Sequence, residues 1–155
     1  MTVKKPLVIT AGQIEQLQAG DRLDLSNSAT KTNNTGNALV IGTPVYVNGA
    51  NVLLARANAQ STIRVAGLVA DVSAPDAGPV TVIVDGVVTA TTGQWDTITG
   101  QTGGLTPGAD YWLSAATAGK LVSTAPTTDG EFVVPVGHAL SATEFELEVG
   151  RPVKL

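Results

Sequence analysis

Beyond Ala38 the sequence breaks into short runs of Val, Ile, Leu and Thr, each closed by Gly, Asn, Asp or Pro. A chain punctuated that often has no room for long helices, and its periodicity is that of strands. Ala38–Ile41 and Thr43–Asn48 read as strands parted by Gly42, and Asn48-Gly49-Ala50-Asn51 as a turn that sends Val52–Ala57 back as a hairpin. Thr62–Asp71 reads as one long strand in which Gly67 marks a bulge or a close backbone approach. Val80–Asp85 alternates, and Asp85-Gly86 carries the signature of a type I′ turn into Val87–Ala90. Residues 91–109, rich in Thr and Gly around Trp95 and Ile98, read as a long connection with a short strand inside it. Tyr111–Ser114 pairs with Leu121–Thr124, and Glu131–Leu140 with Thr143–Val149 across Ser141-Ala142. About nine or ten short strands without a convincing helix predict an all-β chain, a single β-barrel or β-sandwich domain.

The first 36 residues read differently, as an extended N-terminal arm. Lys4 to Thr10 suits a strand, and Gly12–Ala19 places Ile14 and Leu17 at helical spacing for one short turn. Ser26–Asn37 is a polar run with no apolar residue larger than Ala, and reads as a loop or linker. The expected organisation is an arm over 1–36, a barrel or sandwich over 37–150 and a short tail over 151–155. Two lysines ahead of a brief apolar patch are too little for a signal peptide, and no apolar run is long enough for a membrane helix. Synthesis in the cytoplasm and no membrane partner are therefore expected.

Composition narrows the roles. Only 4% of residues are aromatic, so the core must be built from Val, Leu, Ile and Ala. Charged residues make up 14%, below the roughly 25% usual for soluble domains, so Thr, Ser, Asn and Gly must finish the surface. With no cysteine there is no disulfide, thiolate chemistry or Cys-based metal site. Residues 1–64 carry Lys4, Lys5, Arg22, Lys31, Arg56 and Arg64 against three acids, whereas 65–150 hold ten acids and only Lys120. That distribution lacks the clustered cations a nucleic-acid partner needs. It suits an arm docking through Lys4, Lys5, Ile14, Leu17, Arg22 and Lys31 on an acidic protein surface.

Catalysis finds little support. His138 is the only histidine, and Ser141 beside it is not in a nucleophile elbow. Glu144, Glu146 and Glu148 alternate with Phe145, Leu147 and Val149, so a strand would turn all three carboxylates to one face. They then repel one another, and a solvated face, or an intersubunit face shared with Arg151 of a neighbouring protomer, fits better than an acid/base pair. The turn aspartates lack calcium-loop spacing, and Gly100–Gly104 lacks the Lys-Ser/Thr of a phosphate loop. No metal and no cofactor are expected. Trp95, Tyr111 and Trp112 are the candidates for a glycan-stacking platform.

Several segments carry a family resemblance. Gly108-x-x-Tyr111-Trp112-Leu113, continuing to Gly119-Lys120-Leu121, and Val134-Pro-Val-Gly-His-Ala-Leu-Ser-Ala-Thr-Glu-Phe-Glu-Leu147 resemble tailed-bacteriophage head decoration (cement) and head-fibre proteins. The run from Asn34 to Val47, Val65–Asp71 and the opening Ile9–Leu25 are similar to the same group. The resemblance implies a non-enzymatic β-barrel or sandwich on the virion exterior, often a homotrimer, bound to the major capsid protein. A receptor- or glycan-binding module of a phage fibre is the alternative.

Overall fold

The computed structural model describes residues 27–155 in full and, ahead of them, the backbone of two short strands, β1 (Leu7–Thr10) and β2 (Gln13–Gln16). The fold is all-β with one short helix, as the strand periodicity predicts. Its first half is a closed five-stranded barrel of β3 (Ser28–Asn33), β4 (Pro44–Asn48), β5 (Asn51–Leu54), β6 (Gly67–Val69) and β7 (Pro79–Ile83). The strands run β3-β5-β4-β6-β7 around it, and β3–β5 is the one parallel contact. Its second half is an antiparallel sheet, ordered β10-β9-β12-β13-β8, of β8 (Gly86–Thr89), β9 (Asp110–Leu113), β10 (Leu121–Val122), β12 (Pro135–Ala139) and β13 (Glu144–Leu147). A separate pair joins β11 (Phe132–Val133) to β14 (Val153–Lys154).

Alternation along the barrel strands divides two cores. Val69, Val80, Val82, Val45 and Val52 point inward and fill the barrel. Leu68, next to Val69 in sequence, points outward and joins a larger core between barrel and sheet with Tyr111, Leu113, Val136 and Phe145. Gly67 lies against the β7 backbone, where a Cβ would stand 2.0 Å from the Ile83 carbonyl, so the expected close approach is present.

The structure corrects several readings. Ser28–Asn33 is no linker: it forms β3 and closes the barrel against β7, from Ser28↔Ile83 to Thr32↔Pro79. A strand held by its ladder needs few large apolar side chains, which is why the polar run concealed it. Lys31 therefore belongs to the barrel wall, opposite Val80, where Nζ donates to the Gly49 carbonyl at 3.4 Å. Asp85-Gly86 is not a hairpin turn, because β7 and β8 do not pair; it is the crossing from barrel to sheet. The long strand over 62–71 shortens to Gly67–Val69, and the tail is tied down through β14. Gln13–Gln16, read as a helical turn, is a strand paired with β1.

Residues 91–109 hold a helix, α1 (Thr92–Thr99), rather than a strand. Thr91 accepts from the Gln94 amide while the Gln94 side chain accepts from the Thr91 amide, a reciprocal capping box, and Gly100 ends the helix at φ 71°. Trp95 and Ile98, three apart, face the core.

At one point the backbone holds strain. Ala77 sits at φ 57°, its N–H donating to the Asn33 carbonyl at 2.8 Å. Left-handed geometry costs a residue with Cβ roughly 1–2 kcal/mol, partly offset in the unfolded chain by the smaller freedom of Ala. Ala77→Gly should raise stability by about 0.5 kcal/mol, a rise of ~1–2 °C in Tm by circular dichroism.

Candidate functional site

The outer face of the sheet gathers the chemistry that the sequence scatters. Along β13 and the residue after it, Phe145 and Leu147 are buried while Glu144, Glu146 and Glu148 turn outward, as their alternation predicts. The β12–β13 register sets Glu146 opposite His138, and the β12–β9 register sets His138 opposite Asp110. Directly opposed residues share a face, so Asp110, His138 and Glu146 form one row across three strands. His138 Nε2 lies 3.3 Å from Glu146 Oε2, the one ion pair among the described residues when the imidazole is protonated.

A bulge in β12 shapes this surface. Pro135 pairs with Trp112 and Gly137 with Tyr111, leaving Val136 as the extra residue. Val136 turns into the core, and the next position has no space for a side chain: a Cβ on Gly137 would stand 2.0 Å from the Glu146 carbonyl and 2.9 Å from the Phe145 ring. Glycine there returns His138 to the outer face. The result is an open cleft of ≈ 470 Å³, lined by Asp110, Trp112, Pro135, His138, Glu148 and Val149 among others.

The cleft is poorly equipped for covalent chemistry. Its one hydroxyl-bearing residue, Tyr111, is wholly buried, donating to Gln101 Oε1 at 2.6 Å and accepting from the Thr106 amide at 2.9 Å. Ser141 Oγ accepts from the Thr143 and Glu144 amides within its own turn. The glutamates stand side by side along one strand rather than facing one another across a cleft, unlike a glycosidase pair. Among the described residues no group of three or more His, Asp or Glu is placed to hold a metal.

The aromatic platform does not assemble. Trp95 is wholly buried in the seam, its indole N–H donating to the Thr143 carbonyl at 3.0 Å, and its ring lies 5.5 Å from that of Phe145. Tyr111 also meets Phe145, 5.9 Å away and edge-on. Both are withdrawn because a core poor in aromatics uses them as its largest fillers, and Trp112 alone remains half-exposed on the cleft. Asp110 and Pro135 joined the site unforeseen; period two along Asp110-Tyr111-Trp112-Leu113 was the available signal, since Tyr111 and Leu113 inside require Asp110 and Trp112 outside.

Arg151 is exposed. Of the expected arm contacts, Lys4, Lys5, Leu17 and Arg22 lie outside the described residues, and Ile14 stands opposite Ile9 in the β1–β2 ladder. No family model, curated protein or solved structure matches the chain.

Proposed function

We propose that the chain is a structural protein of a tailed-phage virion, a decoration protein that binds the outside of the head and bridges major capsid protein subunits. The observation that carries this reading is the β1–β2 hairpin, whose ladder joins no other described strand. Two strands alone are marginal in water and gain stability by covering an apolar face or extending another sheet. An arm of that kind ahead of a closed barrel is suited to ordering on a neighbouring subunit. The acidic sheet face and the low charge content support an outward-facing body, and the three arms of a homotrimer would add their contacts through multivalency. The reading assigns the protein no enzymatic activity, cofactor, nucleic acid or membrane.

The test is deletion of residues 1–26, which spares β3; a deletion running to 36 would remove a barrel strand. The folded body should bind capsid shells stripped of this protein at least about 100-fold more weakly than the full chain, the order that multivalent attachment contributes. Undiminished binding by cosedimentation would sink the arm's role. A glycan-binding fibre module is the second reading, favoured by the half-exposed Trp112 on an open cleft.

A further inference from the structure

We infer that the Trp112 cleft is a receptor for a cationic side chain, foremost an arginine, presented by a partner protein. The argument is one of donors and acceptors. Asp110 and Glu148 offer carboxylate oxygens that only accept hydrogen bonds, and Glu146, outside the lining, carries a third carboxylate 3.3 Å from His138 Nε2. No lysine or arginine lines the cleft. Its side-chain donors are the Trp112 indole, His138, whose Nε2 is already turned to Glu146, and the buried Tyr111 hydroxyl, whose proton goes to Gln101. A sugar hydroxyl must both donate and accept, and this lining meets mainly the first need. A guanidinium only donates, and so matches the carboxylates of this lining.

Shape agrees with charge. A planar guanidinium stacks on an indole face while its edges reach carboxylates, a combination that Lys achieves less well. Trp112 and Pro135 stand opposite one another on adjacent strands and supply an apolar wall for the methylene stem. The inference rests on the virion reading only for who presents the arginine; the cleft's preference is a property of this chain alone.

That preference can be measured without a capsid. The full chain, labelled with ¹⁵N, is titrated with Nα-acetyl-arginine amide, following the Trp112 indole cross-peak assigned through Trp112→Phe. The uncharged isostere Nα-acetyl-citrulline amide and methyl α-glucoside are titrated alongside. A saturable shift with the arginine probe, little with citrulline, and affinity reduced about ten-fold or more in the Asp110→Asn/Glu148→Gln double variant are expected. Both substitutions are at exposed positions and keep side-chain shape, so the fold should be unchanged by circular dichroism. Equal response to arginine and citrulline, no response to arginine, or full affinity in the double variant would each overturn the inference. A response to the glucoside alone would overturn it in favour of a glycan site. Failure of the arm deletion to weaken capsid binding would leave this result standing, so the two ideas fail separately.

Discussion

Replacing Trp95 by Ala should lower the stability of this protein by about 4 kcal/mol, the range set by removing a large buried aromatic. Trp95 is wholly buried where α1 crosses the seam between barrel and sheet. On the barrel side it presses on Gly42, where even a Cβ would come within 2.7 Å of the ring. On the sheet side it packs on Phe145 and donates to the Thr143 carbonyl. The substitution therefore opens a cavity at the seam and removes one of the two hydrogen bonds the Thr143 carbonyl accepts, the other coming from the Ala90 amide. Typical domains hold only ~5–15 kcal/mol in all, so the variant should unfold at much lower urea. Trp95→Phe keeps most of the volume and should cost about half as much, through the smaller ring and the lost indole hydrogen bond together. Equilibrium unfolding in urea measures both, and a loss below ~1 kcal/mol for the Ala variant would contradict the seam assignment.

Asn33→Leu should be nearly as damaging, at about 3 kcal/mol, although the two side chains are similar in size. Asn33 is wholly buried at the end of β3. Its Nδ2 donates to the carbonyls of Asn37 at 2.8 Å and of Ala74 and Pro75 at 3.1 Å. Its Oδ1 accepts from the amide and hydroxyl of Thr35 at 3.1 and 2.8 Å. One amide thus holds the loop after β3 to the loop before β7, and no apolar residue can satisfy the groups left behind. Hydrogen exchange offers a local readout beside Tm: the Leu39 and Ala74 amides, each bonded to the other residue's carbonyl, should lose protection first. Unchanged protection there would argue against Asn33 as the tie.

Where local chemistry decides the structure, the sequence was readable. The Asn48–Asn51 turn, the Leu113–Leu121 pairing and the glutamate face of β13 all follow from period two and turn residues. The helix was missed although its capping box, Thr91-x-x-Gln94, is plain, because eight residues with two apolar positions give little periodicity to detect. β3 was missed because its partners lie far along the chain and its apolar content is low. The site depended on something finer still. A two-residue turn at Ser141-Ala142 would have set His138 opposite Phe145, whereas the actual loop pairs Ala139 with Phe145 and so brings His138 to Glu146. A register offset of one residue separates a histidine against the core from a histidine beside a carboxylate, and periodicity does not fix it.

Closure of the barrel through β3 has a consequence for how the chain reaches this state. The β4–β5 hairpin can form from residues a few positions apart, but β3 finds its main partner only when Pro79–Ile83 is available. Its contact with β5 is confined to Thr32↔Asn51 and Asn33↔Val52. Joining the two ends of the barrel thus closes a long loop whose entropy is lost before the ladder repays it, which slows folding more than it weakens the folded state. During synthesis the first barrel strand must wait for the last, and until β7 emerges a polar, Thr-rich β3 is a safer segment to leave unpaired than a run of valines.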